Sequence, residues 1–146
     1  MDFVKVNQNV TKSMIDTLRQ IGVFVENVRG LPLENDIVHI QIDLKGDLKG
    51  YLILELTKDY ACKLANIMLA GMMTVTDVDD MCKSVLGELF NMVSGGVCTS
   101  LSGTGLALDI TPPKVSIMDK SLDCTNAISL QNSVDLDILN AYFLVV

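Results

Sequence analysis

The sequence has no tryptophan and one histidine, and aromatic residues make up only 5% of the chain. Basic residues are also scarce, because 11 lysines and arginines stand against 18 aspartates and glutamates, which gives a formal net charge of −7. Nucleic acids and anionic membranes are bound through basic surfaces, which a chain of this charge lacks. We therefore expect neither of them to be a partner.

Long apolar runs, export signals and clustered cysteines are missing as well. The longest strongly apolar run, 138–146, is far shorter than the about 20 residues that a membrane-spanning helix needs. The N-terminus lacks the basic start and apolar middle of a signal peptide. Cys62, Cys82, Cys98 and Cys124 form no CxxC pair and no Cys/His cluster. These features predict reduced thiols in a cytoplasmic protein without a metal site of its own.

The chain does have a high content of hydrophobic residues, 49%, and 8 methionines. This is enough to bury an aliphatic core, and no proline- or serine-rich linker interrupts it, so we expect one domain over residues 1–146. Five methionines lie around two predicted helices, at positions 68, 72, 73, 81 and 92. We expect them to pack in the core, with an adaptable partner-binding surface as the alternative.

Hydrophobic periodicity predicts both helices and strands. Apolar residues recur at helical spacing over 9–20, 58–70 and 77–94, and the adjacent Gly95 and Gly96 are expected to interrupt or kink the last of these helices. Alternating residues predict a hairpin from 36–44 and 51–56. Further strands are predicted over 23–28, 106–110, 115–118, 124–130 and 134–145. Helices between hairpins are typical of an α+β fold with a largely antiparallel sheet.

The third predicted helix carries the clearest chemical signal. Ser84, Glu88 and Asn91 are four and three residues apart, so their side chains share one helical face. The core-facing stripe is predicted on the other side, at positions 78, 82, 85, 89 and 92. A carboxylate can hold a cation, and an amide can orient a water molecule because it both donates and accepts. The alternative is that these three residues lie on an ordinary solvent-exposed helix face without a function.

His39 has no nucleophilic partner at motif spacing, and we expect a structural or surface role for it.

The spacing Ser84-x3-Glu88-x2-Asn91 resembles the [D/S]-x3-E-x2-N pattern of the CheC, CheX and FliY phosphatases of bacterial chemotaxis. The likeness includes the segment 88–96, which ends in two glycines, and is strongest over 51–115. It implies the CheC/CheX-like α+β fold, in which two or three helices pack on the sheet and the long central helix carries the site.

The number of motif copies separates the types within this family. CheC-type members carry two copies and CheX-type members carry one. Two other segments, Ser13-x3-Thr17-x2-Gln20 and Asp59-x3-Lys63-x2-Asn66, keep the spacing but replace the carboxylate with a hydroxyl or a lysine. We interpret them as accidents or relics, so the single intact copy favours the CheX type.

The resemblance implies that the protein dephosphorylates the phosphoaspartate of a CheY-like response regulator. Asn91 would orient the attacking water, Glu88 would pair with a lysine of the regulator, and Ser84 would support the rim of the contact. The regulator would supply Mg²⁺, and no cofactor of the chain's own is implied. A homodimer formed through sheet edges is also implied, for which the apolar strand 142–146 is our candidate. The alternative is a non-catalytic docking module that binds a receiver or adaptor domain.

Overall fold

The computed structural model describes residues 2–34 and 36–146 and contains three helices, seven strands and one short 3₁₀ turn within them. The helices are α1 (Phe3–Gln20), α2 (Lys58–Leu69) and α3 (Asp80–Ser102). The strands are β1 (Val25–Val28), β2 (Ile37–Gly46), β3 (Gly50–Thr57), β4 (Leu108–Ile110), β5 (Lys114–Met118), β6 (Ile128–Asn132) and β7 (Ile138–Val145).

The strands form one antiparallel sheet, and the helices pack on one of its faces. The strand order is β1-β6-β7-β3-β2, and β4 and β5 both pair with the free side of β2. The apolar side chains that β2 and β3 turn to the helices, such as Ile40 and Leu54, are fully buried. Helix α3 packs against both α1 and α2. The predicted α+β architecture is confirmed.

The predicted hairpin is confirmed in its position and its register. Strands β2 and β3 pair antiparallel, with Ile40 opposite Leu54. On the face of the hairpin away from the helices, His39 Nδ1 lies 2.8 Å from Glu55 Oε2, and both side chains are buried. The backbone N–H of Leu122 donates to the other oxygen of this carboxylate, at 2.9 Å. His39 therefore has a structural role, because it pairs with a carboxylate that anchors the loop after β5.

The prediction that Gly95 and Gly96 interrupt the third helix is wrong. Helix α3 continues through both of them from Asp80 to Ser102. Gly96 lies where α1 crosses α3, and a Cβ atom there would be 2.8 Å from Thr17 Oγ1 and 3.2 Å from Ser13 Oγ. The missing side chain at Gly96 thus allows two helices to approach each other.

Two helix starts also differ from the predictions. Helix α1 begins at Phe3 because Asp2 caps it and accepts a hydrogen bond from the N–H of Val4. Helix α3 begins at Asp80 and not at position 77, because the carboxylate of Asp79 accepts from the N–H of Cys82 at 2.9 Å. The stretch 124–126, which we predicted to be extended, is a 3₁₀ turn.

Strand β7 lies inside the sheet, between β6 and β3. Strand β6 pairs only with residues 138–141, however, so residues 142–145 are paired with β3 on one side and with no described strand on the other. The use of this segment in dimer pairing stays a prediction. The edges of the described sheet are β1 on one side and β4 with β5 on the other. Among the described helices, none combines the length and the apolar character needed to cross a membrane.

Candidate functional site

Helix α3 is a rigid platform because its inner side is held in the core. The side chains of Leu86, Phe90, Val93 and Val97 have no solvent exposure and recur at helical spacing. Each fully buried aliphatic or aromatic side chain of this size contributes about 1.5–3 kcal/mol of burial free energy. The rotation of α3 about its axis is therefore well determined, and so is the direction of its outer face.

The structure brings together the three residues that the sequence analysis placed on one face of this helix. Ser84, Glu88 and Asn91 are all exposed on the outer side of α3, one helical turn apart from each other. With a rise of about 1.5 Å per residue, the three side chains occupy about 10 Å of helix length. Directly before Asn91, the fully buried ring of Phe90 anchors the backbone.

The functional groups of this face are not used by the fold. Among the hydrogen bonds and ion pairs of the described residues, none involves the side chain of Ser84, Glu88 or Asn91. The Ser94 hydroxyl donates to the backbone carbonyl of Asn91 at 3.1 Å and leaves the Asn91 amide side chain free. A free carboxylate and a free amide therefore face solvent side by side and can bind an external cation and an external water.

The exposed face also carries two methionines, which the sequence analysis assigned wrongly to the core. Met81 and Met92 are each 42% exposed. The loop methionines Met72 and Met73 are exposed too, so for these four residues the core prediction is wrong. The signal was ambiguous, because methionine fits a buried stripe and an adaptable surface equally well.

The first partial copy of the motif lies in a groove between α1 and α3. Ser13, Thr17 and Gln20 line this groove, whose volume is about 440 Å³, together with Met92 and Gly96. Thr17 is only 8% exposed, and its hydroxyl points at Gly96. These side chains serve the contact between two helices and do not form an outward-facing copy of the site.

The second partial copy is also used structurally. The Asn66 amide donates to the carbonyl of Val75 at 2.9 Å and accepts from its N–H at 2.8 Å, which closes the loop between α2 and α3. The Lys63 ammonium donates to Asp137 at 2.9 Å, and this bond raises the pKa of Lys63. The interpretation of this segment as an accident agrees with these roles.

Burial disfavours the thiolate form of the cysteines near the site. Burial raises the pKa of Cys82 to about 12, with the neighbouring thiol of Cys62 as a second cause. Burial also raises the pKa values of Cys62 and Cys98. In residues 2–34 and 36–146, no group of three or more His, Cys, Asp or Glu side chains is arranged to hold a metal ion.

Comparison with known proteins relates this arrangement to one family. The family model described as chemotaxis phosphatase CheX matches residues 38–133. The CheY-P phosphatase CheX of Thermotoga maritima is 31% identical over 111 residues, which cover 70% of this chain and 69% of that protein.

Solved structures of the same family share the fold. A chemotaxis protein CheX from Desulfovibrio desulfuricans has a TM-score of 0.78 at 18% identity and covers 97% of this chain and 99% of its own. The CheX of a CheX–CheY–BeF3–Mg²⁺ complex from Borrelia burgdorferi has a TM-score of 0.72 at 21% identity, with 99% and 97% covered. FliY of Thermotoga maritima has a TM-score of 0.69 at 20% identity, with 94% and 85% covered. The family resemblance is confirmed: this chain belongs to the CheX family of chemotaxis phosphatases.

Proposed function

We propose that this protein hydrolyses the phosphoaspartate of a CheY-like response regulator in bacterial chemotaxis or related signalling. Family membership supports the activity, as does the Thermotoga maritima relative, which is named a CheY-P phosphatase. A Borrelia burgdorferi relative has been crystallised in complex with CheY. The observation that carries the proposal is the outer face of α3, where the side chains of Glu88 and Asn91 have no hydrogen-bond or ion-pair partner among residues 2–34 and 36–146.

In this mechanism, Asn91 orients the water that attacks the phosphorus atom. Hydrolysis needs a water in line with the departing aspartyl oxygen, and phosphoryl transfer depends mainly on positioning and charge stabilisation. An amide at the end of a short side chain can fix both a lone pair and a hydrogen of that water. The Mg²⁺ that neutralises the phosphoryl oxygens belongs to the regulator.

Glu88 has a different role, because it lies one turn before Asn91 and presents a carboxylate on the same face. We assign it to an ion pair with a lysine of the regulator, which holds the two proteins in register. Ser84, one turn further back, supports the rim of the contact. The net charge of −7 opposes approach to another acidic protein at long range. Screening limits that repulsion to about 8 Å at physiological salt, so contacts within the interface dominate.

The remaining expectations belong to the same proposal. Residues 1–146 act as one phosphatase domain in the cytoplasm. A homodimer formed through sheet edges would use the end of β7, residues 142–145, which pair with β3 alone, or the edge strands β1, β4 and β5.

The test is phosphate release from a CheY-type receiver that has been phosphorylated by a small-molecule donor in the presence of Mg²⁺. Wild-type protein is expected to accelerate release. Asn91→Ala is expected to lower the rate by about 100-fold while the receiver still binds, because orientation is lost and most of the contact remains. Glu88→Ala is expected to lower the rate as well, because without the ion pair the two proteins lose their register. Ser102→Ala, an exposed position at the far end of α3, is the matched control.

A docking module that does not catalyse gives a different pattern. Wild-type protein would then bind the phosphorylated receiver without changing the rate of release, and Asn91→Ala would alter neither quantity. That result, obtained with folded protein and a receiver from the same genome, would refute the phosphatase hypothesis in favour of the docking module.

A further inference from the structure

The outer face of α3 has apolar side chains at both ends of its polar site. At about 100° per residue, Met81 and Met92 project within about 40° of the direction of Glu88. Met81 precedes the motif and Met92 follows Asn91 directly, so that about 16 Å of helix length separates them. The two methionines therefore enclose the face that presents the carboxylate and the amide.

Packing within the chain does not account for this placement. The exposed side of an amphipathic helix normally carries polar or charged residues, because an apolar side chain in water gains no burial free energy. The two side chains keep 42% of their surface exposed, although the core of α3 is complete on its other side. Methionine is flexible and polarisable, and it adapts to a partner surface better than branched residues do.

Charge gives a second reason for apolar contacts at this site. The chain carries a net charge of −7, and the only charged side chain among Ser84, Glu88 and Asn91 is the acidic Glu88. One ion pair at the surface contributes little to affinity. Burial of apolar surface does not depend on the charge of the partner, so it can hold two acidic proteins together once they touch.

We propose that Met81 and Met92 are the docking contacts for the receiver, and that they favour receivers with apolar side chains around the phosphoaspartate. This inference rests on the proposed function. Any protein that brings a phosphoaspartate against Asn91 must cover the surface on both sides of it, where the two methionines lie. Glu88 and Asn91 then determine the chemistry, and the methionines determine which receiver binds and how strongly.

The experiment separates affinity from turnover. Met81→Gln and Met92→Gln remove the apolar character but keep the length and helix propensity of the side chain, and Met81→Leu and Met92→Leu keep the apolar character. Met72, which is 88% exposed and lies outside α3, provides the matched control Met72→Gln. The assay measures kcat and KM for phosphate release from the phosphorylated receiver, and urea unfolding verifies that each variant is folded.

The double glutamine variant is expected to raise KM by about tenfold, with kcat within about twofold of the wild-type value. The double leucine variant is expected to retain most of the wild-type KM, and Met72→Gln to change neither constant. An unchanged KM in the double glutamine variant would overturn the inference. So would a fall in kcat at constant KM, because the methionines would then shape the site and not dock the partner.

The outcome remains decisive even if the wild-type protein does not accelerate phosphate release. Binding is then measured to the receiver loaded with Mg²⁺ and beryllofluoride. Weaker binding of the double glutamine variant than of the wild-type and Met72→Gln proteins would support docking through these methionines without catalysis. Equal binding by all variants, or no binding by the wild-type protein, would refute it.

Discussion

Gly95 and Gly96 are neighbours in the middle of α3, yet their surroundings predict opposite effects of the same substitution. A Cβ atom at Gly95 would meet no other atom within 4 Å. A Cβ atom at Gly96 would lie 2.8 Å from Thr17 Oγ1 and 3.2 Å from Ser13 Oγ. Alanine at the two positions therefore tests whether the second glycine is required by the contact between α1 and α3.

The magnitudes follow from helix propensity and packing. Glycine inside a helix costs about 1 kcal/mol relative to alanine, so Gly95→Ala is expected to stabilise the protein by about 0.5–1 kcal/mol. Gly96→Ala has the same gain but forces a contact against Thr17, which is buried and β-branched and therefore cannot easily rotate away. Overpacking of this kind costs about 1–3 kcal/mol, so the net change is a destabilisation of up to about 2 kcal/mol.

The assay is urea unfolding at 25 °C together with thermal unfolding. For a domain of this size, 1 kcal/mol corresponds to about 3 °C in Tm. The Thr17→Ala variant removes the nearer of the two atoms that the new Cβ would meet. The double variant Gly96→Ala/Thr17→Ala is therefore expected to be more stable than the sum of the two single changes, by about 1 kcal/mol. If Gly96→Ala stabilised the protein as much as Gly95→Ala, the close approach of α1 and α3 would be refuted.

Two further predictions concern buried groups away from the α1–α3 contact. Glu55→Ala removes the partner of His39 and the acceptor of the Leu122 N–H. It is therefore expected to lower the free energy of unfolding in urea by about 3 kcal/mol, and a loss below about 1 kcal/mol would contradict the structural role of the pair. Because the pKa of Cys82 is raised to about 12, only about 10⁻⁴ of this thiol is ionised at pH 8. Because the thiol is also fully buried, its alkylation by iodoacetamide at pH 8, followed by mass spectrometry, is expected to be much slower in the folded protein than in the urea-unfolded protein. Equally fast labelling of both states would contradict the burial.

The hairpin and the site face could be predicted because both depend on short-range periodicity. The alternation in β2 and β3 has a period of two, and a slip by one residue would expose side chains such as Ile40. Likewise, the spacing of Ser84, Glu88 and Asn91 places them on one face of any α-helix. Neither inference required knowledge of which other parts of the chain lie nearby.

The errors concern features that depend on distant parts of the chain. Two adjacent glycines predict an interruption of the helix, and only the position of Thr17 shows that the second glycine is needed where α1 packs against α3. Met92 was wrongly predicted to lie in the core stripe of α3. Periodicity shows that a helix has an apolar side, but it does not show which residues of α3 are covered by α1 and α2.

The division of α3 into two sides also determines how its functional residues can be tested. Phe90 has no exposed surface and Asn91 follows it directly, so one residue holds the helix while the next one faces solvent. Since the side chains of Glu88 and Asn91 make no hydrogen bond or ion pair with the described residues, their removal leaves no buried group unsatisfied. A loss of activity in these variants therefore reports on the contact with the receiver and not on the stability of the fold. Phe90 cannot be tested in this way, because its truncation would leave a cavity under α3 and would change the stability of the fold and the position of the site together.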